Sequence, residues 1–176
     1  MNITIGKFIT EGSSDICKQV GQLLPYIFKY GGKFDSILKS ILKAFTDASN
    51  VAEKVLVYCQ LIIDCISCID EKEWKTQRDK EIKMKKNVMY GTYEQLFIHC
   101  VSLLPTIQNN ANILVKAIGY LLRFHEKNEE EFVKVFEELE TVAVDDVVEL
   151  KKEFCNAFAV VCPSKVAFIK QTVKSN

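Results

Sequence analysis

The segment 34–70 constrains the fold of this chain more than any other part of the sequence. Between residues 34 and 45, apolar side chains recur every three or four positions, which is the spacing of one helix face: Phe34, Ile37, Leu38, Ile41, Leu42 and Phe45. Residues 51–69 are apolar around most of a helical circumference, and only a narrow polar stripe interrupts them. The first pattern predicts a half-buried helix. The second predicts a nearly surrounded helix, around which the other elements must pack.

Glycine and proline are scarce in the chain, with seven and three among 176 residues, and no run of residues alternates strictly between apolar and polar. An all-β chain needs turns throughout, so this composition argues against one. Helix-spaced apolar faces recur from residue 13 to residue 173, and two capping boxes are predicted to start at Thr92 and Asn128. The sequence therefore predicts an all-α fold: a compact single domain over residues 1–176, with about seven or eight helices around a central apolar helix.

Residues 13–32 predict one of the outer helices. Ser13 is a suitable N-cap, and apolar side chains follow at helical spacing: Ile16, Val20, Leu23, Leu24, Ile27 and Phe28. Pro25 falls inside this pattern, where its missing N–H predicts a kink, or a break just before it. Gly31 and Gly32 predict the end of the helix, with one of the two glycines at positive φ.

Two short motifs indicate an internal duplication. Leu-Leu-Pro occurs at 23–25 and again at 103–105, and several apolar positions keep the same offset. Two pseudo-repeats of about 80 residues, 11–90 and 91–170, explain the match, and so does chance similarity between two amphipathic helices that end in Leu-Leu-Pro. Residues 71–90 are strongly charged and are predicted to form a charged connector, either a solvated helix or a mobile link.

No arrangement of residues in the sequence predicts an enzyme. Cys65 and Cys68 have the spacing of a redox or half-zinc motif, but they fall deep inside a predicted helix. A zinc site needs further ligands, which His99 and His125 are not spaced to supply. Glycine-rich phosphate loops, nucleophile elbows and paired carboxylates are absent from the sequence. We therefore expect no catalytic residue, no cofactor and no metal ion, and we expect the cysteines to be core thiols.

The charge and the cysteine content restrict the partners and the compartment. The formal net charge is zero, so no overall field attracts nucleic acid, and we expect none as a partner. Seven cysteines, an odd number, and the lack of a secretory signal at the start of the sequence predict free thiols in a reducing compartment, the cytoplasm. The most apolar segment, 55–69, is shorter than the roughly 20 residues that a membrane span needs.

The kink predicted at Pro25 and the helix end predicted at Gly31 and Gly32 expose aromatic side chains, since Tyr26, Phe28 and Tyr30 cannot all point inward. Exposed aromatic side chains are the usual anchors of protein interfaces. The sequence therefore predicts a non-enzymatic protein-interaction module, adaptor or regulatory, that binds a protein partner through an apolar groove or face. Its candidate partner-binding residues are Tyr26, Phe28, Tyr30, Phe34 and Trp74. A second copy of the chain is one candidate partner.

A second hypothesis belongs to another class of protein. Residues 1–45 carry six lysines against three acidic residues, together with several apolar helix faces. Basic amphipathic helices of this kind lie in a lipid interface when they are free to do so. The alternative prediction is a membrane-active or lipid-binding helical bundle that uses its basic apolar N-terminal helices.

Overall fold

A computed structural model describes residues 2–47, 52–86, 91–107 and 109–175. These residues form ten α-helices and no strand, which confirms the all-α prediction. In chain order the helices are α1 (Asn2–Glu11), α2 (Ser14–Lys29), α3 (Phe34–Asp47), α4 (Ala52–Cys68), α5 (Glu71–Lys86), α6 (Thr92–Leu103), α7 (Ala111–Leu121), α8 (Asn128–Glu138), α9 (Val147–Val161) and α10 (Val166–Ser175). Single 3-10 turns follow α7, α8 and α9 at Leu122–Phe124, Leu139–Thr141 and Pro163–Lys165.

The described residues contain more helices than the predicted seven or eight, and the two additional ones are α1 and α5. The α1 sequence is rich in β-branched residues, which have modest helix propensity. It is helical because Ile5 and Ile9 bury their side chains and the helix packs on α3. The α5 segment belongs to the predicted charged connector, and of the two alternatives it is a helix rather than an irregular link.

The chain divides into two compact units, Met1–Trp74 (unit 1) and Lys75–Asn176 (unit 2), and the division falls within α5. This boundary differs from the boundary between the predicted repeats 11–90 and 91–170. The single domain over residues 1–176 and the duplication both stay predictions.

Unit 1 is built from the pairs α2–α4, α1–α3 and α3–α4. Most of the circumference of α4 is buried, at Val55, Val57, Tyr58, Cys59, Leu61, Ile62, Ile63, Cys65 and Ile66. Its polar stripe remains at the surface, where Gln60 donates a hydrogen bond of 2.9 Å to Asp64. The α3 helix buries its apolar face as its spacing predicted, at Phe34, Ile37, Leu38, Ile41, Ala44 and Phe45.

In unit 2, the principal helix pair is α7 with α9. The two backbones approach closely at Gly119, because a Cβ atom at this position would lie 2.7 Å from the Cβ of Ala157. A cluster of aromatic rings from α8, α9 and α10 fills part of the core of this unit. The Phe132 ring lies at its centre, with ring centroids 4.8 Å from Phe154 and 5.0 Å from Phe158. All three side chains are fully buried.

The observed helix ends agree with some of the predictions from the sequence and differ from others. Ser13 caps α2 by accepting a hydrogen bond from the backbone N–H of Ile16, and Gly31 has φ +97°, as predicted. The predicted capping boxes are wrong, because α6 and α8 begin after Gly91 and Lys127 without a side-chain cap. Of the two alternatives predicted at Pro25, a kink or a break, the break is wrong, since α2 continues through this residue to Lys29.

Candidate protein-interaction surface

The α2 helix has one face in the core of unit 1 and another in solvent. Its inward face buries Cys17, Val20, Gly21 and Leu24. On the outward face, large apolar side chains remain exposed: Ile16 by 37%, Leu23 by 54%, Tyr26 by 62% and Tyr30 by 69%. With Gln19 these residues are spaced by three, four, three and four positions, so they form one continuous row along the helix. We call the row Ile16, Gln19, Leu23, Tyr26 and Tyr30 the α2 stripe.

The packing of α2 holds the stripe in place. The Sγ atom of Cys17 lies 3.6 Å from the carbonyl oxygen of Ile9, which ties the start of α2 to α1. Gly21 lies against α4, since a Cβ atom there would be 2.7 Å from a carboxylate oxygen of Asp64. The exposed side chains therefore project from a helix that is fixed on its opposite face. Binding of a partner would not carry the entropy cost of ordering this helix.

The structure places the predicted partner-binding residues at different depths. Tyr26 and Tyr30 are the most exposed of the five, and Phe28 is half-buried. Phe34 is only 4% exposed and starts α3, where its ring packs against Phe28 with a centroid distance of 5.5 Å. Trp74 is half-buried on α5. The structure thus brings Tyr26 and Tyr30 together at the surface, whereas Phe34 is buried and contacts the ring of Phe28.

Sequence reasoning missed Ile16 and Leu23 as surface residues, because it grouped them with the apolar positions of the helix. A seven-residue spacing that runs from Ile16 through Leu23 to Tyr30 was the available signal. This spacing marks a narrow row beside the core face, of the kind that pairs with another helix.

Charged and polar side chains border the stripe on its solvent side. Asp15, Lys18, Gln22 and Lys29 are all exposed. The Lys29 ammonium lies 5.6 Å from the centre of the Tyr30 ring. Among the described residues, Asp15, Lys18 and Lys29 take part in no ion pair, so their charges are open to a partner.

The Cys65/Cys68 pair lies near the end of α4 rather than at a helix N-terminus. Burial raises the pKa of Cys65 well above its ordinary value, and the neighbouring Cys68 and Asp64 raise it further. The pKa of Cys68 is also raised, again mainly by burial. A redox dithiol needs a lowered thiol pKa, because the thiolate is the nucleophile. Cys65 is a buried core thiol, and Cys68 is half-buried beside it.

The two histidines lie in unit 2. The Nδ1 atom of His125 is 3.5 Å from a carboxylate oxygen of Glu94, and its ring packs on Phe97 with a centroid distance of 4.3 Å. No cluster of three or more potential ligands for a metal ion occurs in the described residues. Within the same ranges, none of the helices has the length and apolar content to cross a bilayer.

Cys155 provides a measurable consequence of burial. Desolvation raises the pKa of this half-buried thiol on α9 to about 11, although Lys151 acts in the opposite direction. At pH 8 only about one thiol in a thousand is then ionised, and the ionised fraction grows about tenfold per pH unit. We expect its alkylation by iodoacetamide, followed by mass spectrometry, to accelerate about tenfold per unit from pH 7 to 9.5.

Free glutathione is the control for this measurement, since its alkylation should level off as the pH passes its lower pKa. Unfolded cysteine ionises near pH 8.5, so alkaline pH favours the unfolded chain and the measurement stops at about pH 9.5. A plateau of the Cys155 rate below pH 9 would contradict the raised pKa.

Comparison of the chain with protein-family models, with curated proteins and with solved structures gives no match.

Proposed function

We propose that this chain is a non-enzymatic helical protein-interaction module that binds a protein partner through the α2 stripe. The observation that carries the proposal is the row of Ile16, Leu23, Tyr26 and Tyr30, four large apolar side chains that are exposed along α2 and its C-cap, with Gln19 between the first two, while the other face of the helix is buried. Single exposed apolar residues are common on protein surfaces, but several of them grouped on one face are typical of an interaction site.

The chemistry of the stripe suits a protein interface. A large apolar side chain that moves fully from water into an interface contributes about 1.5–3 kcal/mol. Tyrosine adds contact area at a low cost in side-chain entropy, and its hydroxyl can reach the polar rim of the interface. Tyr26 and Tyr30 lie at the C-terminal end of the stripe, with Leu23 near its middle, so the anchors form a compact group.

Site-specific photo-crosslinking tests the proposal. A benzoylphenylalanine at position 26, in the full chain expressed in its own cells, should crosslink a protein partner upon irradiation. The same probe at position 148 is the matched control, because Val148 is 78% exposed on α9 and lies outside the stripe. Adding Leu23→Asp to the position-26 probe should abolish the crosslink, since a charge at the centre of the stripe opposes apolar contact. Equal or absent crosslinking at both positions would overturn the proposal.

A lipid surface is the second candidate for the same face. Lys18 and Lys29 border the stripe and can contact anionic headgroups, while tyrosines favour the membrane interface. Insertion of residues 34–45, in contrast, would first have to expose the buried face of α3. Co-sedimentation with phosphatidylserine liposomes separates the candidates: a protein-interaction module stays in the supernatant, whereas a lipid-binding one sediments and loses this behaviour in Leu23→Asp.

Three further predictions accompany this proposal. We place α4 at the centre of the fold, we interpret 11–90 and 91–170 as duplicated units, and we assign the protein to the cytoplasm. The extensive burial of α4 supports the first, and free cysteines with raised pKa values are compatible with the third. The second would be supported if the helices of the two segments superpose in the same order.

A further inference from the structure

The polar border of the α2 stripe has opposite charges at its two ends. Asp15 lies in the first turn of α2 and Lys29 in the last turn, and Gln22 lies midway between them. The three residues are seven positions apart, so they follow one edge of the stripe. All three are exposed, and within the described chain neither charge has an ion-pair partner.

From this arrangement we infer that the partner of the α2 stripe is a second copy of the chain, paired antiparallel to the first through its own α2 stripe. The inference rests on the proposed function and adds the identity of the partner. A two-fold axis through the middle of the helix pair reverses the order of the border residues. Asp15 of each copy then faces Lys29 of the other, and the neutral Gln22 side chains meet at the axis.

The apolar residues fit the same register. When Asp15 faces Lys29, the stripe positions form layers in which Ile16 opposes Tyr26 and Gln19 opposes Leu23 of the second copy. Each layer occurs twice because of the symmetry. Tyr30 then lies beyond the N-terminal end of the other α2, which begins at Ser14. Every layer combines a large side chain with a smaller or flexible one, as helix pairs require for close packing.

A parallel pair uses the same apolar row but lacks the charge pairing. A parallel pair has its two-fold axis along the helices, which places the borders of the two copies on opposite sides of the interface, so Asp15 and Lys29 face no opposite charge of this border. A foreign helix that is uniformly acidic or uniformly basic could form an ion pair at only one end of the border. The self-complementary charges therefore favour the antiparallel second copy.

Sedimentation velocity of the full chain tests the inference. Two four-turn helices form an interface at the low end of the usual size range, so we expect a dimer with a Kd of about 1–100 µM. Leu23→Asp should raise the Kd at least about 30-fold, because it introduces carboxylates that are buried in the apolar layers. Val148→Asp introduces the same charge at an exposed valine outside the stripe and should leave the Kd unchanged.

Charge reversal tests the antiparallel register itself. Asp15→Lys leaves only cations at the two border ends, and Lys29→Asp leaves only anions, so each variant alone should dimerise about tenfold more weakly. An equimolar mixture of the two variants should recover the wild-type affinity as a heterodimer, since every facing pair is then opposite in charge. Circular dichroism confirms that both variants remain helical, because each alters the charge at an end of α2.

Three outcomes would overturn the inference. A monomer up to about 300 µM excludes self-pairing at any useful affinity. A dimer that is insensitive to Leu23→Asp must use another surface, and a mixture of charge variants that does not associate excludes the antiparallel register. If the wild-type chain is monomeric but the position-26 probe captures a different protein, the inference fails while the proposed function stands. If that probe captures nothing, the proposed function fails as well.

Discussion

Replacement of Phe132 by alanine is expected to lower the free energy of unfolding of unit 2 by about 3–5 kcal/mol. The Phe132 ring is completely buried and lies within 6 Å, centroid to centroid, of four other rings: Phe136, Phe154, Phe158 and Phe168. Phe136 lies on α8 together with Phe132, and the other three rings come from α9 and α10, so the loss of one side chain weakens the contacts of α8 with two helices at once. Surrounding helices relax only partly, and the cavity that remains adds to the lost transfer free energy.

Urea unfolding followed by circular dichroism gives the change in free energy, and hydrogen exchange with mass spectrometry assigns it to unit 2. Phe168→Ala is the matched control, because Phe168 is half-buried and meets Phe132 edge-on at the border of the cluster. Loss of the Phe168 ring should lower the free energy of unfolding by clearly less than loss of the Phe132 ring. A decrease for Phe132→Ala below about 1 kcal/mol, which is the range of surface substitutions, would contradict this description of the core.

A second large effect is expected for Gly119→Ala, in which a single added methyl group destabilises unit 2 by about 1–3 kcal/mol. The new Cβ atom would lie 2.7 Å from the Cβ of Ala157 and 3.3 Å from two backbone atoms of α9. Backbone and Cβ atoms cannot rotate away, so α7 and α9 must separate. Alanine is favoured over glycine within a helix by about 1 kcal/mol, and the clash has to exceed this gain.

Gly21→Ala makes the same substitution in another packed helix and is therefore the control. Its Cβ atom would approach a carboxylate oxygen of Asp64 at 2.7 Å, but this oxygen is the end of a rotatable, half-exposed side chain. We expect a change within about 1 kcal/mol, of either sign, because helix propensity offsets a small adjustment. Thermal unfolding should thus show a clearly lower Tm for Gly119→Ala and nearly the wild-type Tm for Gly21→Ala. Equal shifts in both variants would refute the close approach of α7 and α9.

The helices could be predicted wherever their apolar periodicity was strong. The α3 face and the broad burial of α4 follow the spacing of their residues, and Gly31 adopts the positive φ that its position predicted. The α1 helix could not be predicted in this way, because its β-branched residues favour no helix locally and its stability comes from contact with α3. Capping boxes also failed as signals, since Thr92 and Asn128 lie one position inside their helices.

The candidate surface was predicted only at its C-terminal end. Tyr26 and Tyr30 could be named from the sequence because no helix can turn two such closely spaced aromatic residues and Phe28 inward together. Ile16 and Leu23 could not, since an apolar residue beside a core face has the same periodicity as one within it. Their exposure depends on where α1 and α4 end their contact with α2.

The sequence by itself determined that this chain is helical and which side of each strongly periodic helix is apolar, because backbone hydrogen bonding and side-chain spacing are local properties. Only the tertiary structure decided which part of each apolar side is covered. The inner half of α2 packs against α4 at Gly21, while the row from Ile16 to Tyr30 stays in water. That choice depends on the positions of neighbouring helices, which are set by packing between residues far apart in the chain.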